Sequence, residues 1–374
     1  MSIWRKIEHG ILWTLTVVAS LGLLAASYGG EVNPAAIKGI CLMVMTFPAW
    51  ALLMLLVTLM DLLWLRKALV ACVLVWIACA QPLVNFMPLN IFPPKASKYA
   101  DDPKFTFLTY NVSNFDDLTD AYPGGYNPTL SFILRSGADV VNLQESPVPT
   151  VNDKTQVRES QLDSLYKIYP YVIHYGLSHQ LFSKYPAEAI HTPVDPKTTN
   201  GSAVFRLNIE GTPVTLIDVH LQSYGLKASD KELYRDITDM KDPDGNIKST
   251  LRDVKTELLS KIQAAAVKRA QDTEKVCNYI ERFGGPNVIV AGDFNDVPGS
   301  YPLRRLHDYD MKEVWPQVGF GPMITFHADR FYFRIDHVLY RGALQPLKMT
   351  RGKVLYSDHY PLLTTFAITP TDNN

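Results

Sequence analysis

Cysteine is scarce in this chain. Three of its four cysteines, Cys41, Cys72 and Cys79, fall in one apolar region, and only Cys277 lies beyond it. That excludes a disulfide framework for the polar part. No Cys/His cluster has zinc-ligand spacing. Charge of one sign is also missing, since the formal net charge is -1. No overall basic field marks a nucleic-acid partner, although a local basic patch is compatible with that balance. Internal repeats at solenoid periods are absent. With 374 residues, the chain has room for one large domain or two ordinary ones.

What is present is unevenly spread. Residues 11–89 are dominated by Leu, Val, Ala, Met and Trp, and the remainder reads as ordinary soluble protein. Three apolar runs, 11–28, 36–63 and 68–89, are each about long enough to cross a hydrocarbon core as a helix. A cleaved signal peptide is the alternative for the first run, with Arg5 and Lys6 ahead of it and Ala25-Ala26-Ser27 near its end. The two further runs that follow at once favour a bundle of three spans.

Lys and Arg set the expected orientation. Arg5 and Lys6 precede the first run, Arg66 and Lys67 separate the second from the third, and the intervening loop carries Glu31 with only Lys38. The N-terminus is then cytoplasmic and everything after about residue 90 lies outside. In a cell with two membranes, this is an inner-membrane protein with a periplasmic domain. Asp61, close to Arg66 and Lys67, is expected at the membrane interface, the alternative being a functional carboxylate. Pro48 predicts a kink. No series of buried charges marks a transport path. The Pro-rich segment 90–103 is expected to be a linker holding the next domain close to the membrane.

From Lys104 onward, strand-like runs alternate with helical ones. Strands are predicted at 105–111, 140–144, 171–175, 180–183, 203–209, 214–220, 288–291, 334–340 and 362–368. Helices are predicted at 128–136 and 255–283, and the polar stretch 224–255 reads as an excursion or lid. This pattern implies a layered α/β or α+β domain. Polar residues recur where apolar strands end: Tyr110-Asn111, Gln144-Glu145, Asp218-Val219-His220, Asp293 with Asn295, Asp336, and Asp358-His359. Any one of these is ordinarily a turn former bonded to its own backbone. Six in one domain, in this order, are harder to dismiss.

In that order, Tyr110-Asn111-Val112, Leu143-Gln144-Glu145, Asp218-Val219-His220-Leu221, Gly292-Asp293-Phe294-Asn295, Arg334-Ile335-Asp336 and Ser357-Asp358-His359 resemble the motifs of the endonuclease/exonuclease/phosphatase superfamily. The resemblance covers residues 104–369. It implies a four-layer α/β sandwich with two central mixed sheets and the site at one edge; the apolar runs place it behind three transmembrane helices. It divides the chain into an anchor (1–89), a linker (90–103) and a catalytic domain (104–370).

The resemblance also implies roles. Glu145 is similar to the family's main metal carboxylate, with Asn111 and Asp358 completing or supporting a shell for Mg²⁺, or for Mn²⁺ or Ca²⁺. Asp293 would position or deprotonate the attacking water, and Asn295 would donate to the phosphoryl oxygens. His359, oriented by Asp336, and His220 would contact the phosphate, and Asn200 would be a further substrate contact. Thr325 and Arg334 would be supports. His174, His179, His191, His307, His327 and His337 have no motif and read as structural or surface residues.

The substrate is expected to be a phosphodiester or phosphomonoester. Ala291 stands where inositol-polyphosphate 5-phosphatases carry Trp, and Phe333 where AP endonucleases do. A short tether to a membrane raises the local concentration of lipid headgroups, which favours a lipid or envelope phosphodiester over DNA or RNA. A non-catalytic scaffold and a transport component are weaker alternatives. No obligate protein partner is implied.

Overall fold

The apolar runs become a bundle of five helices. The structure, a computed structural model, describes residues 3–64, 67–92, 96–176, 178–193, 198–225, 247–328 and 331–369. Helix α1 (Ile3–Tyr28) packs against α3 (Phe47–Trp64) and α4 (Ala68–Ala78). The second run is broken into α2 (Ile40–Met45) and α3 at Thr46. Pro48 lies in the first turn of α3, where its missing N–H costs nothing, but its ring blocks continuation of the α2 ladder. The third run bends by 55° between α4 and α5 (Ala80–Phe86). Two helices are therefore long and apolar enough to cross a membrane, or three if the bent pair is one span. Leu52, Leu55, Leu56, Leu59 and Leu63 of α3 are exposed, an apolar face suited to hydrocarbon.

Asp61 is fully buried between helices. Its Oδ2 accepts from the Thr16 hydroxyl at 2.8 Å and lies 3.4 Å from Cys72 Sγ. An apolar bundle gives a carboxylate few partners, so it takes the hydroxyl and thiol of its neighbours.

The strands of the polar region are β1 (Lys104–Asn111), β2 (Val140–Gln144), β3 (Tyr171–Tyr175), β4 (His179–Ser183), β5 (Ala187–His191), β6 (Gly201–Ile209), β7 (Thr212–His220), β8 (Val288–Asp293), β9 (Lys312–Glu313), β10 (Asp336–Arg341), β11 (Leu344–Arg351) and β12 (Leu362–Ile368). They form two six-stranded sheets, ordered β11-β12-β1-β2-β4-β3 and β5-β6-β7-β8-β10-β9. Among the described residues, only β1–β2 and β7–β8 pair in parallel. Each parallel pair is flanked by antiparallel partners, so β10 and β12 begin where β8 and β1 end. All the polar strand ends therefore meet along one edge.

Phe105, Phe107, Phe205, Leu216, Ile289 and Phe366 fill the space between the sheets. Helices α6 (Pro128–Arg135) and α7 (Glu159–Ile168) cover the first sheet through Leu130, Ile133 and Leu165. The second sheet is covered by α8 (Ile247–Phe283) and α9 (Tyr301–His307) through Val276, Ile280, Leu303 and Leu306. A short α10 (Trp315–Val318) precedes the last loops. This is the expected four-layer α/β sandwich. Local signals start α6 where predicted: Asn127 caps it by accepting from Leu130 N at 2.9 Å, and Pro128 occupies the first turn. A cap of this kind contributes about 1 kcal/mol.

Strands β5, β9 and β11 and helices α7, α9 and α10 are absent from the sequence prediction. β5 is a half-exposed edge with two-residue alternation too weak to read, and β11 carries Pro346 at an irregular register. Of the 224–255 excursion, residues 226–246 lie outside the described residues.

The linker is docked where it is described. Gly321 N–H donates to the Pro88 carbonyl at 2.7 Å, and Asn90 Nδ2 donates to the Pro316 and Gly319 carbonyls at 3.0 and 2.8 Å. Other joints hold the bundle to the domain. Gln263 of α8 accepts from Gly39 N–H at 2.8 Å and donates to the Pro34 carbonyl at 2.6 Å. Arg304 lies 3.4 Å from Glu31. Gly30 packs so closely on Gly299 that a Cβ would sit 1.9 Å from its carbonyl oxygen.

Candidate active site

The edge shared by both sheets gathers most of the residues singled out in the sequence. Register places Asp293 of β8 beside His220 of β7 and opposite Asp336 of β10. Asn111 pairs with Gln144 across β1 and β2, which puts Glu145 one residue past the sheet. Gly292 makes this tight approach possible. Its φ is +138°, and a Cβ there would lie 2.1 Å from the Val219 carbonyl oxygen.

Asp293 is the hub. Its Oδ2 accepts from Asn111 Nδ2 and Asn295 Nδ2, both at 3.1 Å, and its Oδ1 accepts from Asn295 N–H at 2.8 Å. His359 Nε2 and His220 Nε2 lie 3.6 and 3.7 Å from Oδ2. Burial pushes the Asp293 carboxyl up to about 6, with the Asp336 charge adding to it and the two histidines opposing it. A base poised near neutrality is what abstracting a proton from water requires.

His359 Nδ1 lies 2.8 Å from Asp336 Oδ2. Burial opposes a charged ring, but Asp336 and Asp293 outweigh it and hold the imidazolium up to about 10. His220 is held differently. Its Nδ1 lies 3.0 Å from the Thr199 carbonyl, which can only accept, so the proton sits on Nδ1. Its Nε2 then faces Glu145 Oε1 at 3.5 Å and Asp293.

Glu145 has a left-handed backbone, φ +46°, a conformation often found at functional sites. Its Oε1 accepts from Asn111 Nδ2 at 3.1 Å. Asp358 accepts from the Ser357 hydroxyl at 3.2 Å. Both carboxylates line one cavity with Asp293 and His359, a set of hard oxygen donors that fits a divalent cation. Asn111 Oδ1 accepts from Ser113 N–H at 3.1 Å, and its amide nitrogen donates to Glu145 and Asp293 and so orients those two carboxylates. Asp293, Asp336 and His359 also lie within 4.8 Å of one another. The His359–Asp336 hydrogen bond already accounts for that cluster.

Asn200 is not brought into this group. Its N–H donates to Thr198 at 3.0 Å, and among the described residues its side chain makes no hydrogen bond to the cluster. Its neighbour Thr199 serves instead, through the carbonyl that holds His220. Thr325 is a support, its Oγ1 accepting from the N–H groups of both Ile335 and Asp336 at 3.0 Å. Arg334 is buried, 3.4 Å from Glu313, and donates to the Asn85 carbonyl at the end of α5.

Several supporting residues carried no motif. Buried Arg269 of α8 binds Asp296, next to Asn295, at 2.9 Å and donates to the Gln222 carbonyl at 3.0 Å. Its guanidinium lies over the Tyr224 ring. Ser178 Oγ accepts from Glu145 N–H at 3.2 Å and lies 3.4 Å from His220 Nδ1. His179, with no motif of its own, lies 2.6 Å from Asp218, which also accepts from Asn142 and Gln144 at 2.7 and 2.6 Å. The one available signal was an unusual number of polar residues inside otherwise apolar strands.

A profile of the Endonuclease/Exonuclease/phosphatase family matches residues 108–359, well over half of the chain. No curated protein sequence matches it. Similar solved structures include D. rerio TDP2 complexed with single strand DNA product, at 17% identity, covering 71% of this chain and 99% of that one, with a TM-score of 0.46. An endonuclease/exonuclease/phosphatase family protein from Bacteroides thetaiotaomicron is 12% identical over 72% of this chain and 100% of its own, with a TM-score of 0.45. Beta toxin from Staphylococcus aureus is 16% identical over 70% of this chain and 99% of its own, with a TM-score of 0.42. With the profile match spanning most of its sandwich domain, this chain belongs to the endonuclease/exonuclease/phosphatase family and is a divalent-metal-dependent hydrolase of phosphoric ester bonds.

Proposed function

We propose that the chain is a membrane-anchored phosphodiesterase that uses Mg²⁺ to hydrolyse a lipid headgroup or other envelope phosphodiester. The observation that carries the hydrolytic part is the grouping of Asp293 with His359, His220, Asn295 and Asn111 beside Glu145. Glu145 and Asp358 hold the cation, with Asn111 orienting Glu145. When bound, the cation polarises a phosphoryl oxygen and stabilises the leaving oxygen. Asp293 orients water and takes its proton. The water oxygen bonds to phosphorus, the bond from phosphorus to the leaving alcohol oxygen breaks, and that oxygen takes up a proton. The His359 side chain donates to the phosphoryl oxygens as charge develops, and His220 and Asn295 lie beside it, the Asn295 amide holding Asp293 and the Leu221 carbonyl.

Residues 1–89 are the anchor and 104–370 the catalytic domain. The N-terminus is cytoplasmic and the domain periplasmic, the direction favoured by Arg5, Lys6 and Lys67. Docking of the 88–91 segment against 316–321 supports a site held close to the lipid surface.

Purified full-length protein, assayed with Mg²⁺, Mn²⁺ and Ca²⁺, tests this on bis(4-nitrophenyl) phosphate, phospholipids, DNA and RNA. Loss of turnover in Asp293→Asn and Glu145→Ala is expected, and unchanged turnover in both sinks the site assignment. Hydrolysis of DNA or RNA without lipid overturns the substrate. A C-terminal reporter active only in the cytoplasm reverses the orientation.

A further inference from the structure

In front of the catalytic cluster lies a cavity of about 400 Å³ with two unlike sides. Its floor is polar, made of Glu145, Asp293, Asn295, Asp358 and His359. Its walls are hydrocarbon. Phe326, Phe333 and Ile335, Leu258 and Ile262 of α8, and Met45 of α2 line them, beside the Ser223–Gly225 segment. Hydrolysis of a phosphoester needs only the floor, so the walls have a separate task.

Met45 is informative because of where it comes from. It is the last residue of α2, and Phe47 begins α3, one of the two helices long and apolar enough to cross a membrane. Tyr224, at the end of the β7 loop, donates its hydroxyl to Met45 Sδ at 3.6 Å and so ties α2 to the cavity wall. Gln263, one residue from Ile262, fastens the segment ahead of α2 through Gly39 and Pro34. The anchor is thus part of the cavity, and the cavity borders the point where the chain enters the apolar bundle.

We propose that these walls bind the hydrocarbon part of the substrate, an acyl or alkyl chain of a phosphodiester lipid, while its phosphate lies on the polar floor. α2 is then a substrate-binding element contributed by the anchor. The proposal rests on the hydrolytic reading above and adds what selects the substrate.

The test uses the full chain in nanodiscs with Mg²⁺ and a series of 4-nitrophenyl alkyl phosphodiesters, methyl, butyl and octyl. All share one scissile bond and differ only in hydrocarbon. Full burial of a methylene corresponds to about a fourfold gain, so even partial burial of the chain predicts a rise in kcat/KM of at least about tenfold from methyl to octyl. In Ile262→Asp and Met45→Glu that ratio should collapse to less than about twofold, and Ile262→Leu should keep it. Reading a ratio within each variant cancels any general loss of folded protein. Turnover of the methyl ester with no chain-length gradient in the unaltered protein overturns the proposal and leaves the hydrolytic reading intact. A gradient that persists in both charged variants also overturns it, since the chain then binds elsewhere. No turnover of any ester sinks both readings.

Discussion

Asn111 and Asp293 stand 182 positions apart in the chain and 3.1 Å apart in the fold. One ends a strand of the first sheet and the other a strand of the second. Their contact, together with the Asn111–Glu145 hydrogen bond, closes the two sheets over one reaction centre. Asn111→Ala should therefore lower both Mg²⁺ affinity and turnover, by about 10- to 100-fold. A Mg²⁺ titration of activity checks this. Unchanged half-saturation and turnover would remove Asn111 from the site.

The Asp336–His359 pair sets a pH dependence. In the proposed mechanism the His359 imidazolium is the form that donates to phosphate. Because its pKa is raised to about 10, that form is present through neutrality and is lost as pH rises through about 10. In Asp336→Asn, burial still opposes the charge but one carboxylate is gone. The alkaline limb of kcat/KM for a small aryl phosphodiester should move toward neutral pH. A limb that stays in place would mean that His359 does not act as the cation.

Glu313 governs acid stability. Burial alone would raise its pKa, but the charges of Arg334 and His337 outweigh this and lower it. A depressed folded pKa contributes stability that is fully present above the unfolded value, about 4.3 for Glu, and is lost as pH falls through the lower folded value. Glu313→Gln leaves buried Arg334 without its carboxylate, at a cost of about 3–5 kcal/mol near neutrality. Its stability should also fall less steeply than that of the unaltered protein below about pH 4. Denaturant unfolding of the full chain across that range reads both effects.

Arg269 separates stability from positioning. Arg269→Met strands buried Asp296 and should destabilise by about 3–5 kcal/mol. Adding Asp296→Leu removes the stranded charge and should restore most of the stability. Turnover should remain low in the double variant, because the Gln222 carbonyl and the turn bearing Asn295 have lost their shared partner. Recovery of both properties together would make Arg269 a purely structural residue.

Much of this was legible in the chain. β2, β3 and β12 coincide with their predicted bounds, since short apolar runs bounded by turn residues are a local signal. The residues of the candidate site stood out because each lies beside the end or the start of such a run. Edge strands were not legible, as β5 shows, because a half-exposed edge has too little apolar content to stand out. The partners of Asp61 were not legible, because sequence proximity to Arg66 and Lys67 says nothing about which helix face looks inward.

Local pattern alone determined that apolar helices precede an α/β domain and that polar side chains end its strands. Strand period and apolar run length depend on neighbouring residues only. Tertiary structure decided which strand ends share an edge, that Asn111 turns its amide nitrogen to the Glu145 and Asp293 carboxylates, and that the Thr199 carbonyl holds His220. It also decided that Arg269 braces the loops and that Met45 of α2 lines the cavity. Each of these rests on the register and packing of segments far apart in the chain, and no local pattern encodes that.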